Sequence, residues 1–160
     1  MNPTRRLALA ALAVSLVAPA RATAPRGSGP PVEVWKSPTC GCCKDWITHM
    51  EAHGFKVKVH DTGNTAARKR LKVDERYGSC HTAWVGGYAI EGHVPAREVQ
   101  RLLREKPAAL GLAVPGMPLG SPGMDGPEYG GQKDAYDVLL LRADGGAAVF
   151  ASYGKPAAKG

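Results

Sequence analysis

The chain has no apolar run long enough to cross a bilayer: its most hydrophobic stretch, Leu7–Ala18, covers about a dozen residues, against the roughly 20 a spanning helix needs. It has no internal repeat and no glycine-rich phosphate-binding motif, so repeat architectures and P-loop chemistry fall away, and its glycines read as turn residues. Aromatic residues are scarce, at 6%. None interleaves with the one basic run, Arg68-Lys69-Arg70 with Lys72, as a stacking platform for nucleic acid would require, so that run reads as a solvated helix face. The first 22 residues contain no acid. Removing them takes away Arg5, Arg6 and Arg21 and lowers the formal charge from +7 to +4, which is mildly basic and excludes nucleic acid as the expected partner.

What that leading segment does contain is the grammar of export. Arg5-Arg6 is a positive n-region, Leu7–Ala18 an uncharged apolar core, and Ala18-Pro19-Ala20 and Ala20-Arg21-Ala22 are small-x-small cleavage sites. Residues 1–22 are therefore expected to be a signal peptide and the mature protein to be periplasmic, with no stable membrane anchor. Thr4-Arg5-Arg6-Leu7 also admits twin-arginine export. The rest suffices for one domain with a modest core, read as a monomer.

A Pro/Gly-rich segment, 23–31, leads into alternating elements. Val32–Trp35 has strand composition, and Ser37-Pro38-Thr39 turns into a helix from Cys43 to His53, where Trp46, Ile47 and Met50 share a face and Gly54 is the stop. Phe55–Val59 alternates as a half-buried strand, and Ala66–Val73 predicts a short second helix. Thr82–Val85 and Tyr88–Glu91 form a hairpin about Gly86-Gly87. Pro95 opens a third helix with Val99, Leu102 and Leu103 on one side, and Pro107 ends it. Further on, Tyr136–Leu141 and Ala147–Ala151 read as a hairpin through Asp144-Gly145-Gly146, placed either along the sheet or over the loop before it.

Three of the four cysteines crowd into Cys40-Gly41-Cys42-Cys43, and the fourth, Cys80, precedes His81. Sulfurs this close in sequence cannot all pair in unstrained disulfides, so the spacing favours soft-metal ligation, redox exchange, or both. The cluster falls at a strand-to-helix turn, where the helix dipole and free backbone N–H groups stabilise a thiolate. Structural disulfides, Cys40–Cys43 or Cys43–Cys80, are the alternative in an oxidising compartment, and a tetrahedral zinc site is another.

The order β-α-β-α-β-β-α with cysteines at the first helix resembles a thioredoxin fold. The fold class is thus α/β, a thioredoxin-like sheet over 32–107, followed by a C-terminal extension, 108–160, with a metal-covering loop and a hairpin. Two departures stand out: Cys42 lies between the Cys-x-x-Cys pair Cys40 and Cys43, and Ser79-Cys80-His81-Thr82 has no proline where such folds place one. The sheet and its three helices are expected to be complete by Pro107.

Several separated motifs, Cys40-Gly41-Cys42-Cys43-Lys44-Asp45-Trp46, Ser79-Cys80-His81-Thr82-Ala83, Glu91-Gly92-His93-Val94-Pro95, Gly111–Pro118 and Gly120-Ser121-Pro122-Gly123-Met124, closely resemble the CopG-like copper-resistance proteins. Lys72–Tyr77 departs from that family's Gly-Val-Pro approach to the second cysteine segment. The resemblance implies a periplasmic thioredoxin-like domain whose extension helps bind metal. It also implies a cysteine-bridged multinuclear copper cluster and a copper oxidoreductase role interconverting Cu(I) and Cu(II). Copper ions, an unidentified electron donor or acceptor, and a copper efflux system are the partners this suggests. A Cu(I) chaperone or buffer without redox turnover, and a thiol–disulfide oxidoreductase, are the competing readings.

The expected site residues are Cys40, Cys42, Cys43 and Cys80 as metal ligands and redox centre, with His93, Met117 and Met124 as further ligands. His93 follows the hairpin and should reach the same end of the sheet; neutral imidazole binds either copper oxidation state. Met117 and Met124 lie in a Gly/Pro-rich segment without apolar periodicity, where a soft thioether near copper competes with simple packing. Cys80 and His81 should both sit near the cluster, although neighbours on an extended segment alternate faces, so the two cannot easily bind the same ion and a ligand role for His81 stays open. His49 and His53 read as a solvated helix face and His60 as a loop residue.

Overall fold

A computed structural model describes residues 29–154. The export signal expected over 1–22 and the end of the chain past 154 lie outside the described residues.

Strand β1, Pro31–Lys36, alternates as its β-branched residues require, burying Val32 and Val34. Helix α1, Gly41–Ala52, buries Cys43, Trp46, Ile47 and Met50, one stripe of a 3.6-residue period, against that sheet face. Strand β2, Lys56–His60, pairs parallel to β1 at the sheet edge. Helix α2, Thr65–Arg70, is shorter than the periodicity suggested, and a single 3-10 turn, Glu75–Tyr77, started by the Asp74 carboxylate accepting from the Arg76 N–H, carries the chain back to the sheet. Strands β3, His81–Val85, and β4, Tyr88–Glu91, form the expected Gly-Gly hairpin. Helix α3, Ala96–Glu105, buries Ala96, Val99 and Leu102.

Strands β2-β1-β3-β4 carry the thioredoxin-like order, with β1 antiparallel to β3. The sheet does not stop at Pro107. Strand β5, Gly111–Ala113, pairs parallel to β4, and the hairpin of β6, Tyr136–Leu141, and β7, Ala147–Tyr153, continues it to seven strands. Glycine permits the join at β5: a Cβ at Gly111 would overlap the Ala89 carbonyl oxygen. Leu112, Val114 and Val138 are fully buried in the same core as Val32, Trp46 and Ile90, so the extension completes the core that Pro107 was expected to close. Of the two placements open for the hairpin, the one along the sheet is found.

Two histidines sit differently from expectation. His49 is not a solvated face residue: its Nε2 accepts the Ala96 N–H at 3.0 Å, satisfying a free donor in the first turn of α3. His60 ends β2, donates from Nε2 to Glu33 Oε2 at 2.9 Å, and stacks on Trp35. Among the described residues no helix is long and apolar enough to cross a membrane.

Candidate metal centre

Cys40 stands at the N-cap of α1, so the four cysteines gather where the turn after β1 meets the segment entering β3. Cys42 Sγ lies 3.6 Å from Cys40 Sγ and 3.8 Å from Cys80 Sγ, and Cys43 Sγ is 3.5 Å from Cys80 Sγ. Sulfurs held tetrahedrally by one ion through bonds of ~2.3 Å stand roughly 3.8 Å apart, so this spacing suits a soft cation. Cys40 and Cys43 are joined as a disulfide, while Cys42 and Cys80 are free thiols. The pairing is one of the two weighed from sequence. Only two sulfurs can act as thiolates in this state; two further thiols appear once the disulfide has taken up two electrons and two protons, and they become thiolates as a bound cation displaces their protons.

His93 is where sequence placed it. Its Nε2 lies 3.1 Å from Cys80 Sγ, and its Nδ1 donates to the Pro122 carbonyl at 2.9 Å. Burial lowers its pKa, with the Pro122 bond and Asp125 opposing. A neutral ring with Nδ1–H committed to a carbonyl presents its Nε2 lone pair to the site, a familiar way of orienting a metal-binding imidazole.

His81 breaks the expected alternation. Cys80 precedes the first residue of β3, so the pleat does not govern it, and His81 Nδ1 comes within 3.5 Å of Cys80 Sγ. The ring is fully buried between Trp46 and His93, its pKa pressed well below 6.5 by burial and then by His93. Its Nε2 has no hydrogen-bond partner among the described residues. Cys80, His81 and His93 thereby form a second donor group that shares Cys80 with the cysteine cluster, each group lying within 4.8 Å. Cys80 itself is pushed up to about 12, first by burial and then by Cys42, so its thiol is protonated at neutral pH until a cation displaces the proton.

The extension closes one side. Gly123 packs against the first turn of α1 so tightly that a Cβ there would strike the Cys42 carbonyl and the Trp46 nitrogen. Met124 follows, 8% exposed, its Sδ accepting from the Tyr129 hydroxyl at 3.5 Å. Met117 is 51% exposed, on an open cleft of about 440 Å³ whose wall includes Cys80 and Ser79. The two methionines thus differ, one inside the covering loop and one on a rim. What sequence reasoning missed is Glu91, a charged residue buried beneath the site; its polarity at an inward position of β4 was the available signal.

Residues 77–124 match a family model described as "Protein of unknown function, DUF411". Two solved structures, titled "Copper resistance protein copG- Form 1" and "Copper resistance protein copG- Form 2", are each 47% identical, with a TM-score of 0.72 over 78% of this chain and 98% of theirs. No curated protein matches significantly. The sheet and cysteine centre define a thioredoxin-like α/β protein with a potential soft-metal site. The chain belongs to the CopG copper-resistance protein family.

Proposed function

We propose that this chain is an exported, periplasmic copper-binding protein whose reduced cysteines bridge more than one copper ion and support interconversion of Cu(I) and Cu(II). The convergence of four sulfurs within 4.8 Å, with Cys80 shared by two imidazoles, carries the reading. Copper is the substrate. Four thiolates offset the charge of several Cu(I) ions by bridging, while His93 and His81 supply neutral nitrogen donors that tolerate Cu(II). Mixed sulfur and nitrogen ligation lets the oxidation state change without release of the ion. The residues from Pro122 to Met124 would cover the centre, and Met117 and Met124 would contribute thioethers from rim and cover respectively.

On this reading the Cys40–Cys43 disulfide is the unloaded state, opened by a dithiol reductant. A second reading, thiol–disulfide oxidoreductase, is favoured by the same disulfide, with the Cys80 sulfur 3.5 Å from that of Cys43. Anaerobic loading of the reduced protein with Cu(I), followed by one cycle of oxidation and reduction and metal counting at each stage, separates the possibilities. Copper retained through the cycle supports the redox reading; copper lost on oxidation leaves a Cu(I) carrier; no copper bound leaves the oxidoreductase.

A further inference from the structure

Cys80 needs a fixed position to belong to both donor groups, yet the backbone ladder does not provide it. Pairing of β1 with β3 ends at Lys36 and His81, leaving the preceding Ser79–Cys80 segment outside the sheet. Its polar groups are taken instead by buried side chains. The Ser79 N–H donates to Glu91 Oε1 at 2.7 Å, while the Ser79 carbonyl accepts from Arg68 Nη2 and from Asn64 Nδ2. Arg68 Nε donates to the same Glu91 oxygen at 2.9 Å, and Thr82 Oγ1 donates to the other at 2.6 Å. The Ser79 hydroxyl donates to the Gly116 carbonyl, tying in the extension. Residues from α2, β4 and the loop after β5, with Thr82 of β3 bonded behind Glu91, converge on the residue immediately before Cys80.

We infer that Glu91 and Arg68 are positioning residues that hold Cys80 against Cys42 and His93. Glu91 is fully buried, and burying a carboxylate is costly unless every partner is in place. An apolar pair would serve folding as well or better, so the ion pair calls for another reason. Here that reason is geometric: a carboxylate can accept the Ser79 N–H while a guanidinium holds the Ser79 carbonyl, which fixes both backbone polar groups of the residue before Cys80. Apolar side chains cannot. The importance of Cys80's position for copper rests on the proposed function, but the position itself is open to a metal-free test.

In protein carrying the Cys40–Cys43 disulfide, Cys42 and Cys80 are free thiols with sulfurs 3.8 Å apart. Diamide accepts two electrons and two protons from this pair, becoming the hydrazine as the Cys42–Cys80 disulfide forms. Closure depends on the two sulfurs meeting, so its rate reads their placement. The double variant Arg68→Met, Glu91→Met removes the pair without leaving a lone buried charge. It is expected to unfold in urea near the parent's midpoint yet to close this disulfide about tenfold more slowly, with mass spectrometry identifying the bond. Parent-like closure in the folded double variant overturns the proposal. Should that variant not fold, Thr82→Val deletes one bond to Glu91 at nearly constant volume and is expected to slow closure about threefold; an unchanged rate overturns the proposal equally. Cu(I) is then titrated into the reduced proteins. A parent that binds no Cu(I), with slowed closure in the variants, overturns the copper reading and supports the positioning role.

Discussion

His93 Nε2 stands 3.1 Å from Cys80 Sγ, held there because the opposite ring nitrogen donates to the Pro122 carbonyl in the extension. This one relationship links hairpin, covering loop and cysteine cluster. His93→Ala is therefore expected to keep most Cu(I) capacity, which thiolates supply, and to lose stable Cu(II) retention. Parallel titrations of the reduced protein with Cu(I) and of the loaded protein through oxidation read the two separately. Equal loss of both forms would show that the imidazole serves the whole centre rather than the oxidised state.

Cys42 is the sulfur that a simple dithiol would not need. It lies between Cys40, 3.6 Å away, and Cys80, 3.8 Å away. Cys42→Ser leaves the Cys40–Cys43 disulfide intact and is expected to remove most copper binding. Full loading of that variant, measured by metal analysis after reduction, would favour the dithiol reading.

The methionines should separate. Met124→Leu deletes a buried thioether and its bond from Tyr129, at a stability cost under about 1.5 kcal/mol. Met117→Leu, at a half-exposed site, should leave the urea midpoint unchanged. Both are expected to release Cu(I) faster to a chelator, and parent-like release from the double variant would make them packing residues.

A histidine that seemed exposed makes stability depend on pH. Burial, and then His53, hold the His49 pKa below its usual 6.5, and His81 is lower still through burial and His93. The unfolded chain therefore binds these protons more readily, so their contribution to stability is complete above about pH 6.5 and is lost as pH falls through the folded values. Urea midpoints should be lower at about pH 5 than at about pH 7.5. His49→Ala should cost about 1 kcal/mol at neutral pH, by freeing the Ala96 N–H, and should narrow the pH difference. An unaltered pH dependence would place the acid sensitivity elsewhere.

Much of the fold was legible because its signals are local. Trp46, Ile47 and Met50 repeat at helical spacing, Gly86-Gly87 marks a hairpin, and Pro95 precedes α3. Strand β5 was not legible: Gly111–Ala113 is three residues long, and what makes it a strand is the close approach of Gly111 to Ala89, a long-range contact. For the same reason the end of the core was set too early. A chain ending after Pro107 removes Leu112, Val114 and Val138 from the main core, at a cost on the order of several kcal/mol, comparable with a domain's whole stability. Such a chain is expected to lack a cooperative urea transition, and a sharp one would show that the first four strands suffice.

The site was legible where chemistry is concentrated in sequence and obscure where it depends on backbone direction. Cys40, Cys42, Cys43 and Cys80 come together, and His93 reaches Cys80 from the end of the hairpin, in the places their spacing and topology suggested. Strand alternation argues against Cys80 and His81 serving one ion, a rule that does not apply because Cys80 lies just outside β3. The support from Glu91 and Arg68 depends on residues more than twenty positions apart, bonded to each other and to the backbone of one residue, Ser79, that no periodicity marks.

The most direct measurement is the Cu(I) capacity of the fully reduced protein, titrated anaerobically to saturation against a chelator of known affinity. Four thiolates within bridging distance predict more than one Cu(I) per chain. Saturation at a single ion would contradict the bridged centre.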